Sequence, residues 1–196
     1  PLQLFRRGEE YVIRVDGNNL MSSRVFGSEM QLATLAIDRL KTPNAKILIG
    51  GLGMGFTVAA ALDSLNGQAE VDVVELVPGV VKWNKGVLSK LAGEPLSDPR
   101  VSVHVGDVRK SLMKPKKTYD AILLDVDNGP DGLTRATNGW LYEKVGLKAA
   151  FQTLNPGGLL GVWSAFEDPI FTKRLKSCGF DVEVLPVRAN GKKGAR

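Results

Sequence analysis

Residues 46–55, Lys-Ile-Leu-Ile-Gly-Gly-Leu-Gly-Met-Gly, constrain this chain more than any other stretch. A short apolar run, Ile47-Leu48-Ile49, stops abruptly in glycines. The following residues 56–65 read as a helix, with Val58, Leu62 and Leu65 spaced for one face. Strand, glycine turn and helix together open a nucleotide-binding βαβ unit. Glycine suits such a turn because a side chain would hold a ligand away from the backbone, and because the turn needs positive φ. The helix then aims its first N–H groups at whatever lies over the turn. The same glycines would also serve as a plain tight turn in any α/β protein.

The remaining pattern extends this unit. After the first strand, residues 47–49, further strands are expected at 71–76, 101–105, 121–125, 159–163 and 181–187. Helices are expected at 79–91, 140–154 and 169–177, the last ending at the C′ glycine Gly179, and a short helix or turn at 108–113. The loop 92–99, the Gly/Asp/Asn-rich loop 126–137 and the turn Asn155-Pro156-Gly157-Gly158 punctuate them. Repeated βα units of this length imply an α/β, Rossmann-like, doubly wound and mostly parallel sheet with helices on both faces. No apolar run follows Val187, so a seventh strand is not expected, and the chain is expected to have been cut there, at a basic hairpin loop.

A small β segment precedes this unit. Residues 2–7 and 11–15 alternate as two strands, Asp16-Gly17-Asn18-Asn19 is a turn signal, and 20–26 extend a third strand. Ser28 with Gln31 has the spacing of a capping box opening a helix over 28–40. The expected organisation is therefore an N-terminal β appendage over 1–27, a nucleoside-binding catalytic domain over 28–187 and a basic tail over 188–196. The appendage is too short to fold alone, so it should pack on the domain or pair with a second copy, and a homodimer is expected. The chain begins at Pro1 rather than Met, so residues are expected to precede it.

Charge and composition narrow the partners. Of the +5 net charge, four positive charges lie in the last nine residues, and a second basic group is Arg109, Lys110, Lys114, Lys116 and Lys117. Neither is interleaved with aromatic residues, so both read as solvated surface and no nucleic-acid partner is expected. No apolar run nears the roughly 18 residues that span a bilayer, so no membrane partner is expected. One cysteine, Cys178, excludes an internal disulfide and fits the cytoplasm. The single His104 lies in a strand without metal-site spacing, and no metal is expected.

In open α/β sheets ligands bind beyond the carboxyl ends of the strands. The first strand ends there in Gly51, Gly53 and Gly55. The second ends in Glu75, 20 residues after Gly55, with Leu76 next to it. The third leads to Asp107 and Val108, and the fourth to Asp125, with Asp127 two residues on. Glu75 can accept from ribose hydroxyls, Asp107 from an adenine amine, and Asp125 can face the reactive part of the ligand. Taken singly, Glu75 reads equally as a surface carboxylate, Asp107 as a helix N-cap and Asp125 as a turn former. A nicotinamide dehydrogenase fits less well, because Phe56 stands where a third glycine belongs, and no Gly-Lys-Ser/Thr follows for a P-loop.

From Asp16 to Val187 these motifs resemble the spermidine synthase (polyamine aminopropyltransferase) family, within the class I S-adenosylmethionine-dependent methyltransferase fold. The resemblance is carried by Ser28-Glu29, Ile49-Gly50-Gly51, residues 73–78, Asp98-Pro99-Arg100-Val101, Gly106-Asp107, residues 119–125 and residues 154–158. It implies that fold, here without its last strand, and a sulfonium nucleoside co-substrate, S-adenosylmethionine or its decarboxylated form. It further implies cofactor-binding roles for Gly51, Gly53, Gly55, Glu75, Leu76, Asp107 and Val108, and a substrate role for Glu29. Asp125 and Asp127 become the catalytic pair. Two positions depart from the family pattern: Gly53 stands where an acid usually holds the donor's amine, and Asp127 is displaced from the second acid's usual place.

The chemistry so implied is in-line attack of an amine on a carbon bonded to S⁺. A primary amine has a pKa of about 10, so a carboxylate must hold the ammonium and take its proton. Asp125 fills that role, with Asp127 and Glu29 as auxiliary anchors, and the acceptor is a small-molecule amine such as putrescine. Methyl transfer to a small molecule, and a non-catalytic nucleoside-binding module, are the alternatives.

Overall fold

The structure is a computed structural model and describes residues 2–42, 44–113, 115, 117–126 and 135–188. Its centre is a five-stranded parallel sheet of β4 (Lys46–Gly50), β5 (Glu70–Glu75), β6 (Val101–Val105), β7 (Tyr119–Leu124) and β8 (Leu154–Val162). The order is β6-β5-β4-β7-β8, so the strand of this sheet that comes first in sequence is central and the winding reverses between β4 and β7. That reversal opens a crevice at the strands' carboxyl ends, where such sheets bind ligands.

The inner strands are apolar on both faces because both faces are covered. Ile47, Ile49, Val71, Val73, Ala121 and Leu123 face α1 (Gly27–Ile37), α2 (Phe56–Ser64) and α3 (Pro78–Lys85). Leu48, Val74, Ile122 and Leu124 face the other way, onto α4 (Val108–Met113), α5 (Arg135–Tyr142), α6 (Lys144–Thr153) and α7 (Pro169–Ser177). Each fully buried Ile, Leu or Val contributes about 1.5–3 kcal/mol.

The N-terminal residues form their own antiparallel sheet, β1 (Leu2–Arg7), β2 (Glu10–Val15) and β3 (Asn18–Ser22). Asp16 (φ 48) and Gly17 (φ 83) make a two-residue turn with both φ positive, the geometry whose twist matches a hairpin. The third strand therefore starts at Asn18, earlier than the turn signal suggested, and stops at Ser22 rather than Phe26. The sheet packs on the domain: Ile13 meets Met54, Phe56 and Leu88, and the rings of Phe26 and Phe56 stack 4.3 Å apart.

Four other expectations are corrected. The helix foreseen over 140–154 is two helices, broken at Glu143, whose backbone is extended. Gly146 permits the tight join, since a Cβ there would overlap the Trp140 carbonyl oxygen. The Asn155–Gly158 turn lies inside β8 as a bulge: Tyr119 pairs with Leu154, but Ala121 pairs with Leu159. Ser28 does not cap α1; it sits inside the first turn and donates to Glu29 Oε2 at 2.7 Å. Residues 181–187 form no strand. Most of the segment is exposed, with Val182 and Val187 half-buried; among the described residues no neighbouring strand supplies a ladder, and Arg39 instead pairs with Glu183 at 3.0 Å. By contrast, α7 has the bounds read from sequence, capped by Asp168 on the N–H groups of Ile170 (2.8 Å) and Phe171 (2.9 Å) and closed by Gly179 at φ 99.

Among the described residues no helix is long and apolar enough to cross a membrane. Of the basic group after β6, Arg109 pairs with Asp107 and Lys117 with Asp72 and Glu70, so these two are ion-paired rather than merely solvated. Lys114 and Lys116 lie outside the described residues, as do the tail residues 189–196.

Gly51 is the tightest point of the crevice. Its φ is 92, and a Cβ would overlap the carbonyl oxygen of Asp125. Gly51→Ala is expected to lower stability by about 2–5 kcal/mol in urea unfolding, the sum of backbone strain and overpacking. Gly79→Ala, in a helix with no close neighbour, should be neutral or mildly stabilising. Equal midpoints for wild type and Gly51→Ala would refute this account of the turn.

Candidate functional site

A cleft of about 290 Å³ opens at the carboxyl ends of β4, β5, β6 and β7. Its floor is the glycine turn. Gly51 N–H donates to the Val74 carbonyl at 2.9 Å, and Asp125 N–H donates to the Gly50 carbonyl at 2.8 Å, which locks the crossover shut at its base. Its outer wall comes from the N-terminal sheet, through Ile13, Val15, Leu20 and Met21. Trp163, just after β8, closes the far side.

Of the residues singled out from sequence, Gly51, Gly53, Glu75, Leu76, Asp107, Val108, Asp125 and Glu29 all line this cleft. Gly55 is not among the lining residues. It precedes α2 at φ 87, and a Cβ there would press on Asn84 Oδ1 at 3.1 Å, so its part is to shape the turn. Asp127 lies outside the described residues.

Each carboxylate has its own surroundings. Glu75 is buried, and both its oxygens accept backbone N–H groups, from Leu52 at 2.9 Å and Val77 at 2.8 Å. It thereby ties the end of β5 to the glycine turn, and each oxygen keeps a lone pair for a ligand hydroxyl. Asp107 accepts from the Arg109 N–H at 2.9 Å, caps the first turn of α4, and pairs with the Arg109 guanidinium, which holds its carboxyl below the ordinary range. Asp125 is desolvated at the cleft floor, which pushes its pKa up to about 6; the Thr57 hydroxyl opposes this, and the charge of Glu29 adds to it. Glu29 is also raised, by burial, against the opposing hydrogen bond from Ser28.

Two residues that bear on the site were not picked out from sequence. Thr57, in the first turn of α2, donates to Asp125 Oδ2 at 2.6 Å. Asn84 on α3 donates to the Gly53 carbonyl at 2.9 Å and to the Val80 carbonyl at 3.0 Å, fixing the glycine turn from below. A polar residue on the apolar face made by Val80 and Val81 was the available signal for Asn84. Thr57 offered none, because Thr in a first helical turn is ordinary.

Four of the polar side chains in the cleft are carboxylates, and no Lys, Arg or His joins them among the described residues. The site therefore favours cationic ligands, and the charge of Glu29 helps to raise Asp125. Among the described residues no three His, Cys, Asp or Glu side chains group as a metal site.

Comparison with known proteins finds relatives in sequence and in fold. The family model described as spermine/spermidine synthase domain matches residues 28–177. A spermine synthase of Arabidopsis thaliana is 30% identical over 130 residues, which are 66% of this chain and 34% of that protein. A polyamine aminopropyltransferase of Korarchaeum cryptofilum is 30% identical over 121 residues, 62% of this chain and 35% of that protein. The chain thus spans about a third of the length of these two relatives. A crystal structure of a spermidine synthase in complex with the transition state analogue AdoDATO superposes with a TM-score of 0.73 at 21% identity, over 90% of this chain and 61% of that one. The spermidine synthase of Thermotoga maritima gives 0.69 at 20% identity, over 90% of this chain and 59% of that one. At these identities the superpositions establish the fold.

The raised carboxyl of Asp125 carries a stability signature. In the unfolded chain it titrates near the ordinary value of 3.8, and in the fold near about 6, so the fold binds a proton first as pH falls. Burial of the charged form is therefore destabilising above pH 6 and relieved towards pH 4. Asp125→Asn should be more stable than wild type by about 1–3 kcal/mol at pH 8, with the gain disappearing by pH 4. Urea unfolding at a series of pH values checks this; a gain independent of pH would mean that Asp125 is not desolvated.

Proposed function

The chain belongs to the spermine/spermidine synthase domain family, and we propose that its cleft transfers an aminopropyl group from decarboxylated S-adenosylmethionine to a small amine such as putrescine. The observation that carries this is the all-acidic set of ionisable groups in the cleft. The decarboxylated donor and a diamine bring only positive charge to it. S-adenosylmethionine would bring its own carboxylate among four others, with no cationic side chain among the cleft's described lining residues to receive it. That comparison favours aminopropyl over methyl transfer.

In this reading the glycine turn, Gly51 and Gly53, lies against the nucleoside, with Gly55 holding the turn's shape. Glu75 accepts from the ribose hydroxyls through its free lone pairs. Asp107 accepts from the adenine amine, with Leu76 and Val108 against the ring. Glu29 and Asp125 hold the acceptor's ammonium groups, with Asp127 beside them as a second acid. Asp125, poised near about 6, takes a proton from the attacking amine. The freed nitrogen lone pair then forms a bond to the aminopropyl carbon next to sulfur. The C–S bond breaks, its electrons return to sulfur, and 5′-methylthioadenosine leaves as a neutral thioether. The protein's work is to position the two reactants and to keep the nucleophile neutral.

Asp125→Asn is expected to cut turnover by about 10²–10⁴-fold while nucleoside affinity changes little. Mass spectrometry of mixtures with each donor and putrescine tests the reading. Spermidine from the decarboxylated donor is expected; methylated product without spermidine would replace this assignment with methyl transfer.

The outer edge of β1 has no ladder partner among the described residues, which supports a homodimer paired along that edge. Light scattering should then give twice the chain mass, and Phe5→Lys on that strand should shift it towards monomer. A monomer at all concentrations would discard the dimer. The free, buried Cys178 supports a reducing compartment such as the cytoplasm.

A further inference from the structure

The two carboxylate oxygens of Asp125 are not equivalent. Oδ2 accepts from the Thr57 hydroxyl at 2.6 Å, and among the described residues no hydrogen bond reaches Oδ1. Thr57 is 2% exposed and sits in a helix, where a β-branched side chain keeps few χ1 rotamers. The hydroxyl is therefore held in place by its own helix, not gathered in from solvent. At the main chain, Asp125 is tied to the Gly50 carbonyl at 2.8 Å. The residue is thus fixed at its backbone and at one oxygen, while the side chain as a whole lines the cleft.

We propose that Thr57 is the positioning residue of the site: by engaging Oδ2 it fixes the Asp125 carboxylate in one orientation and leaves Oδ1 as the oxygen that meets the acceptor nitrogen. For turnover this rests on the aminopropyl-transfer reading; for the Asp125 carboxyl itself it does not. The bond has a second effect. A hydroxyl donating to a carboxylate favours the charged form, against desolvation and against the Glu29 charge, the groups that face Asp125 here. Without that donor, a larger share of Asp125 would be protonated at neutral pH and unable to accept a proton from an ammonium.

The test titrates the Asp125 carboxyl by carbon-13 NMR in the free protein, with the resonance assigned through Asp125→Asn. Thr57→Val, which keeps the side chain's shape, should raise the Asp125 midpoint by about one unit. Thr57→Ala, which adds no apolar bulk, should do the same if the valine variant folds poorly. Thr57→Ser should restore the wild-type midpoint. An unmoved midpoint in valine and alanine variants, or a serine variant that shifts with them, overturns the proposal. The same variants are then followed in kcat/KM against pH, with the decarboxylated donor and putrescine. The acid limb should move up by the NMR shift and return with serine. If the midpoint moves but the wild type turns over no amine, Thr57 keeps its role and the transfer reading falls. If the wild type turns over but its acid limb ignores Thr57, the positioning role falls instead.

Discussion

Everything at this site hangs on how closely β4 and β7 approach at their carboxyl ends. The Gly51 backbone lies so near the Asp125 carbonyl that no Cβ fits between them. The Asp125 N–H to Gly50 carbonyl bond continues the pairing one step beyond the ladder. From that contact the chain diverges in two directions, into the glycine turn and into the loop after β7, and the cleft is the space they leave. Glu75 and Asn84 then brace the turn from β5 and α3, so three elements converge on one short piece of backbone. A backbone held this way can present N–H groups to a ligand with little further ordering.

Two aspartates on this sheet show how environment divides one residue type into two roles. Asp72, on β5 but towards the opposite end of the sheet, is buried. Burial would raise its carboxyl, yet Lys117 at 2.7 Å and the Tyr119 hydroxyl at 2.8 Å outweigh it, and His104 stands 3.5 Å away; the net shift is downward. Asp72 is a satisfied structural anion. Asp125 has one neutral donor and an acid for a neighbour, so it rises. Such concentrated, poorly compensated charge costs stability and is characteristic of sites that do chemistry.

The N-terminal sheet is part of the site rather than an ornament on it. Met21 stands where a side chain on Gly53 would go, its Cε 2.6 Å from the place of a Cβ there. Ile13, fully buried, anchors that sheet to Met54 and Leu88 next to the same turn. The position at which this chain lacks an acid is thus covered by a flexible thioether from another sheet. A larger residue at 53 would require Met21 to move.

Much of this was legible in the residues alone. Largely apolar stretches that stop at Gly50, Glu75 and Asp125 mark strand ends, because inner strands of a parallel sheet covered on both faces are mostly apolar, Asp72 on β5 being the exception. The shared rim follows from repeated βα units, which set the carboxyl ends of parallel strands on one side, whereas the order that makes β4 central came only from the tertiary structure. Local pattern could not say whether Val182 and Val184 would find a ladder partner, since a strand exists only with a neighbour. Nor could it show that Asn155–Gly158 is a bulge within a strand, or that residues 140–154 break at Glu143, because both depend on what packs alongside. Tertiary structure alone brought Thr57 to Asp125 across 68 residues of chain and Met21 to Gly53. Composition and periodicity specify which face of each element is buried. Which two polar groups meet there is set by the crossing of elements distant in sequence, and that crossing decides the charge state of the acid at the centre of the cleft.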